Sequence, residues 1–438
     1  MQTKNGLDVS TNSSEVIEAI EYFEQELLSM GKGVVAIIDS AKEHADNLMI
    51  QLYAASFMLY GQTKETDAEA FTYLNRAKTL SSQGNEREKQ LMQALTYWLA
   101  GKVEKGMQQL ESLLQSWPKD LAAAKILEFF YYMRGQEYSG PRFLEVFEGI
   151  YSENKNSGYY LSSLSFAAEL CGQYDKAFDL ANQAIGIEKI NPWAHHTLSH
   201  VLLKRGEISE GIKRLESYEG VWDQSGQAIC SHNHWHLALM YLENLDHEKA
   251  LSFVKNNILK EKPYIVIQHL DAISLLWRIE MGGYEVPKDT WVEIADSVKE
   301  NSKDCYIPYM SAHYIYALAK AEKKDELSDA LSKVKKASDS KSGHELEVWQ
   351  RTGIPLLHAT EAFAKGDYSH SVSLLEPIIA NITEVGGSDA QVDLFRQTYL
   401  QSLINSNQPA HAKAYLDTLI TSQQLTPLEE YWNTAIKI

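Results

Sequence analysis

The sequence predicts an all-α fold of repeated helical hairpins that wind into one right-handed superhelix, an α-solenoid. Apolar residues recur at three- and four-residue steps over most of the chain, which is the spacing of an amphipathic helix. Sustained alternation of apolar and polar residues, the signal of a strand, is almost absent. Turns containing glycine recur at Gly101, Gly135, Gly172 and Gly206, with separations of 34, 37 and 34 residues. Hairpins of nearly constant length are therefore expected to follow one another along the chain.

The regularity of this pattern divides the chain into two predicted regions. Residues 1–90 contain helical segments such as EVIEAIEYFEQELLSM without a regular repeat, so we predict an N-terminal helical region there. Residues 91–438 keep the repeat register, and we predict that they form the superhelix. More than 20 helices are expected in total, since the periodic segments are short and separated by loops.

The clearest repeat spans residues 160–192. It reads YLSSLSFAAELCGQYDKAFDLANQAIGIEKINP and places a glycine, an aromatic residue, three alanines and a closing proline in the tetratricopeptide order. The glycine lets two antiparallel helices approach at the turn, and the aromatic residue fills the space between them. The proline is expected to stop the second helix. These key positions are Gly172, Tyr174, Ala177, Ala181, Ala184 and Pro192.

Composition and charge exclude several classes of partner. Hydrophobic residues make up 44% of the chain and charged residues 23%, which is typical of a folded globular protein. The formal net charge of -18 opposes binding to a phosphate backbone, so neither nucleic acid nor an anionic membrane is an expected partner. No run of 18 apolar residues is present, so no membrane span is expected either.

The termini and cysteines indicate the compartment. The N-terminal segment MQTKNGLDVSTNSSEVIEAIEYF lacks the apolar stretch of a secretory signal. The three cysteines, Cys171, Cys230 and Cys305, are odd in number and far apart, as expected for reduced thiols. We therefore predict a cytoplasmic protein.

Two histidine pairs form the most informative pattern in the chain. His196 and His200 are four residues apart, as are His232 and His236, so each pair would share one face of a helix. The two pairs are separated by 36 residues, about one repeat, and therefore occupy equivalent places in consecutive hairpins. Because first helices of neighbouring hairpins pack side by side, all four imidazoles could converge on one small volume.

Longer motifs resemble a known family. NPWAHHTLSHVLLKRGEISEGIKRL, HNHWHLALMYLE, HLDAISLLWRIEMGG, GDYSHSVSLLEPI and GGSDAQVDLF occur in that order between about residue 85 and residue 420. In this order they resemble the tetratricopeptide-repeat family that includes human tetratricopeptide repeat protein 38 and its bacterial relatives.

The resemblance assigns family positions to individual residues of this chain. His196 and His200 match the histidines after Trp-Ala, and His232, Asn233, Trp235 and His236 match a His-Asn-x-Trp-His motif. A central helix of the family is matched by Asp271, Trp277 and Arg278. One position departs from the family pattern, since Asp389 stands where Gly-Gly-Ser-His-Ala-Gln has histidine. That exchange of imidazole for carboxylate argues against carrying chemistry directly from one relative to another.

These observations give a set of candidate site residues. The predicted ligand-binding residues are Trp193, His196, His200, His232, Asn233, Trp235, His236, Arg278, His313, Gln391 and Asp393. The candidate catalytic residues are His200, His236, Asp271 and Asp389. No cofactor is predicted; a divalent metal is possible because histidine is a common ligand, although no His-Glu-x-x-His motif defines its ligands.

Each of these candidate residues could also have a purely structural role. The histidines could instead form satisfied hydrogen bonds that fix the register of the repeats. Arg278 is expected to be a buried guanidinium held by Asp271, two turns earlier on the same face. The Gly-Gly pair at 386 and 387 is expected to form a tight turn.

Three functions are compatible with the pattern. The first is a soluble helical-repeat protein that binds a small molecule or short peptide in a histidine-rich concave pocket. The second is an enzyme, of hydrolase or proton-transfer type, that uses the same histidines as general acid and base or as a metal site. The third is a scaffold that docks protein partners, the common use of tetratricopeptide arrays.

Overall fold

The predicted all-α helical-repeat fold is confirmed. A computed structural model describes residues 1–420 and 425–436, in which 26 α-helices form and pairing between strands is limited to two isolated bridges. Helices α1 to α13 are Ser14–Ser29, Ile37–Glu43, Leu48–Leu59, Lys64–Leu80, Glu86–Leu99, Val103–Ser116, Leu121–Arg134, Gln136–Gly149, Tyr151–Asn154, Gly158–Leu170, Tyr174–Ile187, Pro192–Lys204 and Ile208–Glu216.

The remaining helices continue the same arrangement. Helices α14 to α26 are Glu219–Trp222, Gln227–Glu243, His247–Phe253, Val266–Met281, Lys288–Val298, Pro308–Lys320, Lys324–Asp339, Gly343–Val348, Ile354–Ala364, Tyr368–Leu375, Asp389–Asn405, Pro409–Leu419 and Pro427–Ala435. Short 3₁₀ segments occupy Lys32–Ala36, Ser81–Gln83, Asn301–Lys303 and Ile379–Val385, and short π-helical segments occupy Val254–Ile258 and Trp349–Gly353. No described helix combines the length and the apolar character needed to cross a bilayer.

The turn glycines allow the chain to reverse between paired helices. Gly101, Gly135, Gly172 and Gly206 have φ values of 66°, 95°, 71° and 69°, in the left-handed region that favours glycine. Each lies between two helices that the repeat pattern pairs. The sequence prediction of these turns is therefore confirmed, including its register.

The two helices of a hairpin differ in burial. Twelve of the thirteen residues of α10 are buried, whereas the buried residues of its partner α11 are Ala177, Ala181 and Ala184. The second helix thus covers the first with a narrow stripe of alanines, and small side chains permit the close approach. Polar groups on a first helix, being enclosed, must find partners inside the protein.

One local prediction was wrong. Pro192 was expected to stop the second helix of its repeat, but α11 already ends at Ile187 and Pro192 is the first residue of α12. Proline suits that position because the first residues of a helix have no intrahelical acceptor for their N–H groups. The Asn191 side chain completes the start by accepting a hydrogen bond from the Ala194 amide at 3.2 Å.

The chain forms two compact units. The first unit comprises Met1–Arg134, Ser139–Leu198 and Gly220–Cys230, and the second comprises Gly135–Tyr138, Ser199–Glu219 and Ser231–Ile438. In the first unit, α1 packs against α3 and α7, and α10 packs against α11. In the second unit, α17 packs against α19 and α24, and α19 packs against α22. The predicted division at residue 90 stays a prediction.

Candidate functional site

Both predicted histidine pairs lie on helices and point into the protein interior. Helix α12 carries His196 and His200, and α15 carries His232 and His236. Their exposed fractions are 1%, 1%, 8% and 1% in that order. Each imidazole has thus lost most of its contact with water, so its ring nitrogens depend on protein groups or on a ligand for hydrogen bonds.

In the second unit, His200 is held by a carboxylate from a helix far away in sequence. Its Nδ1 lies 2.8 Å from Oδ1 of Asp389, at the start of α24. The side chains are 0% and 7% exposed, so this pair is buried. Burial alone would raise the pKa of Asp389, but the neighbouring His200 and Lys204 outweigh burial and hold the pKa well below its usual value. Asp389 is therefore a carboxylate in the folded protein.

His232 is held in the same way by a different carboxylate. Its Nδ1 lies 3.1 Å and 3.0 Å from the two carboxylate oxygens of Asp271 on α17. Burial raises the pKa of Asp271, while His232 and Arg278 act in the opposite direction. Two of the predicted histidines therefore share one arrangement, in which Nδ1 meets a buried carboxylate from another helix.

The third histidine of the second unit lies between the other two. The His236 ring centroid is 4.6 Å from that of His200 and 4.8 Å from that of His232. Trp235 stacks on His232, with centroids 5.1 Å apart and planes 11° apart. We call His200, His232 and His236 the histidine cluster; Asp271 and Asp389 are its carboxylates.

The fourth histidine belongs to the first unit. His196 stacks on Trp193 with centroids 4.3 Å apart and planes 9° apart, and its ring lies 4.9 Å from that of Phe166. The Lys125 ammonium lies 4.0 Å from the centroid of Trp193 and forms an ion pair with Glu128 at 2.8 Å. Within its unit, His196 is therefore part of an aromatic stack capped by a cation.

The expected partner of Arg278 was wrong, although its burial was predicted correctly. The guanidinium is 4% exposed and donates hydrogen bonds to the Ser274 hydroxyl and, at 2.7 Å, to the Ala390 carbonyl oxygen. It also lies 5.5 Å from the centroid of Trp235. Among the described residues, Asp271 pairs with His232 instead. Burial lowers the pKa of Arg278 to about 10, which still leaves it charged at neutral pH.

A chain of ion pairs extends from Asp389 that the sequence analysis did not identify. Lys204 lies 3.3 Å from Asp389 and 2.7 Å from Asp393, and Arg396 bridges Asp393 at 2.5 Å and Glu137 at 2.8 Å. Burial opposes ionisation of Asp393, but the two basic side chains outweigh it and lower the pKa. Lys204 therefore places a positive charge beside Asp389 in addition to the contact with His200.

Three further candidates are buried, and two of them have hydrogen-bond partners within their own helix or its cap. Oε1 of Gln391 accepts a hydrogen bond from the Ser388 amide at 2.9 Å and completes a capping box at the start of α24. His313 donates from Nδ1 to the Tyr309 carbonyl oxygen at 2.8 Å, one turn earlier on α19, and burial lowers its pKa to about 3. Asn233 is 1% exposed. Gly386 and Gly387, which precede helix α24, have φ values of 94° and 87°, which confirms the predicted tight turn.

A small cavity lies beside Arg278 in the second unit. It measures about 20 Å³ and is lined by charged and apolar side chains, including Glu243, Asp393 and Leu428. That volume is sufficient for about one water molecule. Burial raises the pKa of Glu243 to about 7, with Thr426 donating a hydrogen bond to it at 2.6 Å.

Lys204 is the missed residue with the clearest sequence signal. It lies four residues after His200, on the same face of α12, where a cation can reach the same carboxylate. Glu137 had no such signal, because its partner Arg396 is 259 residues away.

Comparison with known proteins gives distant fold similarity only. No family model matches the chain. Among solved structures, the human IFIT1 dimer with PPP-AAAA is 15% identical, covering 95% of this chain and 92% of that chain with a TM-score of 0.43. A monomeric mutant of IFIT1 with Gppp-AAAA is 14% identical, with coverages of 96% and 99% and a TM-score of 0.44. Naa15/Naa10 bound to HypK-THB is 12% identical, with coverages of 92% and 62% and a TM-score of 0.25. These similarities are too distant to transfer a ligand or an activity to this chain.

Proposed function

We propose that this helical-repeat protein binds a small molecule, or the end of a short peptide, at the histidine cluster. The observation that carries the proposal is the repeated pairing of a buried imidazole with a buried carboxylate, at His200 with Asp389 and at His232 with Asp271. Such groups cost several kcal/mol each to bury, and well-packed apolar residues often replace buried ion pairs without loss of stability. Two such pairs beside a third histidine are therefore more than packing requires.

The pairing also defines the chemistry that the cluster offers. A neutral imidazole that donates its Nδ1–H to a carboxylate carries its lone pair on Nε2. This tautomer accepts hydrogen bonds from a ligand, and it is also the arrangement found behind metal-binding histidines. A donor-bearing small molecule suits the cluster, and so does a divalent cation held by imidazole nitrogens.

The same pairs support an enzyme as the second candidate. An imidazole oriented by a carboxylate through Nδ1 is the base and orienting group of general acid–base catalysis. In that function His200 would move the proton and Asp389 would orient it, and His232 with Asp271 offers the same arrangement. The reaction would be a hydrolysis or a proton transfer.

This proposal includes two further statements: that the chain belongs to the tetratricopeptide-repeat family that includes tetratricopeptide repeat protein 38, and that it is located in the cytoplasm. The order of the motifs on α12, α15, α17 and α24 supports the family assignment. A protein scaffold is a weaker alternative, because the first helices that would form a docking groove are largely buried within their units.

Native mass spectrometry and elemental analysis of the purified protein test the proposal. We expect a bound species in the wild type that is lost in the His200→Gln and His236→Gln variants. The control is His358→Gln, which changes an exposed histidine on α22. A ligand retained in both cluster variants, or a wild-type mass equal to that of the bare chain, would contradict the proposal, and a co-purifying protein would favour the scaffold.

A further inference from the structure

A second cavity lies in the second unit, and none of the residues of the histidine cluster or its carboxylates lines it. It measures about 430 Å³, within the range of small-molecule sites. It is lined by the segment before α17, with Lys262 and Tyr264, and by a second wall from α18, with Glu293 and Asp296. Leu259 and Ile294 supply apolar surface.

His269, the fourth residue of α17, lines this cavity. Its side chain makes no hydrogen bond to any residue that the structure describes, although the residue is only 8% exposed. The Tyr264 ring meets it edge-on, with centroids 5.7 Å apart and planes at 90°. Burial lowers the pKa of His269 to about 4, so the imidazole is neutral at pH 7. Its Nε2 is buried without a hydrogen-bond partner among the described residues, and leaving that nitrogen unsatisfied costs free energy.

The two walls carry opposite charges with no partner among the described residues. Lys262 forms no ion pair there, and its ammonium lies 5.6 Å from the Tyr264 ring centroid. Glu293 is exposed and forms none either. Asp296, in contrast, is neutralised by Lys323 at 2.6 Å. A purely anionic ligand would meet Glu293 and a purely cationic one would meet Lys262, whereas a ligand with both charges complements both walls.

We propose that this cavity binds a small zwitterion of about the size of a dipeptide. Its carboxylate would pair with Lys262 and its ammonium with Glu293. A peptide amide between the two charges would supply the hydrogen-bond partner that Nε2 of His269 lacks. An apolar side chain of the ligand would pack on Leu259 and Ile294. The site is independent of the function proposed for the histidine cluster, since the two share no residue.

Isothermal titration calorimetry with glycyl-phenylalanine tests this site on the full chain. We expect binding in the wild type and in His200→Gln. The variants Lys262→Ala and Glu293→Gln should each weaken it about three- to fivefold, the range of a solvent-accessible ion pair. Both positions are exposed, so neither variant should impair folding. The matched control is Lys260→Ala, an exposed lysine two residues from Lys262.

Blocked dipeptides separate a zwitterion site from a general apolar one. N-acetylation should weaken binding to the wild type and remove the effect of Glu293→Gln, and C-amidation should do the same for Lys262→Ala. Absence of binding to the wild type up to about 10 mM dipeptide would overturn the proposal. Equal affinity for the blocked and free dipeptides, or unchanged affinity in Lys262→Ala and Glu293→Gln, would overturn it as well.

Discussion

Replacing Asp389 with asparagine should remove the charge that holds His200 while keeping the shape of the side chain. The imidazole and the carboxylate are 2.8 Å apart and 0% and 7% exposed, so water cannot take over their interaction. Asparagine can still accept one hydrogen bond, but the positive charge of Lys204, 3.3 Å away, loses one of its two carboxylate partners. Both effects act on buried groups.

We expect Asp389→Asn to lower the free energy of unfolding by about 2 to 4 kcal/mol at pH 7, slightly less than for breaking a buried pair outright, because asparagine still accepts one hydrogen bond. His200→Gln should cost less on its own. In the double variant the two costs should not add, and the coupling between them should be about 1 to 3 kcal/mol. Urea-induced unfolding followed by circular dichroism measures all four proteins of this cycle.

The pH dependence of the stability difference between wild type and Asp389→Asn tests whether the charge of Asp389 causes it. Because the pKa of Asp389 lies below the unfolded value of 3.8, its contribution to stability is present above pH 3.8 and is lost as the pH falls below that value. The difference between wild type and Asp389→Asn should therefore shrink in acid. The control is Asp339→Asn, an exposed carboxylate paired with Lys335, which should change little. A coupling energy below about 0.5 kcal/mol would refute the reasoning.

Two further predictions concern helix α1 and the turns. Glu24 on α1 is buried and accepts a hydrogen bond from Tyr53, and burial raises its pKa from 4.5 to about 7. Its contribution to the free energy of unfolding therefore falls as the pH rises from 4.5 to 7. Glu24→Gln should raise the free energy of unfolding by up to about 3 kcal/mol at pH 8 and leave it unchanged at pH 4, and a loss at pH 8 would contradict this. Gly172→Ala meets no neighbour and should cost about 1 kcal/mol for its positive φ. Gly135→Ala should cost at least about 2 kcal/mol more, because its Cβ would lie 1.9 Å from the Thr383 carbonyl oxygen; equal melting temperatures for the two variants would be inconsistent with that contact.

The sequence predicts the local features of this protein well, for identifiable physical reasons. A hairpin turn needs a residue with positive φ, so Gly101 and Gly172 could be placed without knowledge of the fold. Helical spacing likewise puts His232 and His236 on one face of α15 whatever that helix packs against. These predictions depend only on neighbours within one or two turns.

Predictions of long-range partners are less secure, because spacing says nothing about which distant helix supplies the other half of a pair. Asp389 is 189 residues from His200, and its pairing depends on how α24 packs within the second unit. The same limitation explains the error at Arg278. Asp271 and Arg278 lie on the same face of α17, but the Asp271 carboxylate pairs with His232 from α15. Arg278 donates to a backbone carbonyl instead.

The tautomeric states of His200 and His232 test directly whether each imidazole donates to its carboxylate. Nitrogen-15 NMR spectra of histidine-labelled protein, assigned with the His200→Gln and His232→Gln variants, distinguish a protonated Nδ1 from a protonated Nε2. We expect Nδ1–H in both residues, bound to Asp389 and Asp271, and an Nε2 signal that shifts when a ligand binds. An unprotonated Nδ1 in either residue, with the proton on Nε2, would contradict the carboxylate pairing on which the proposed site depends.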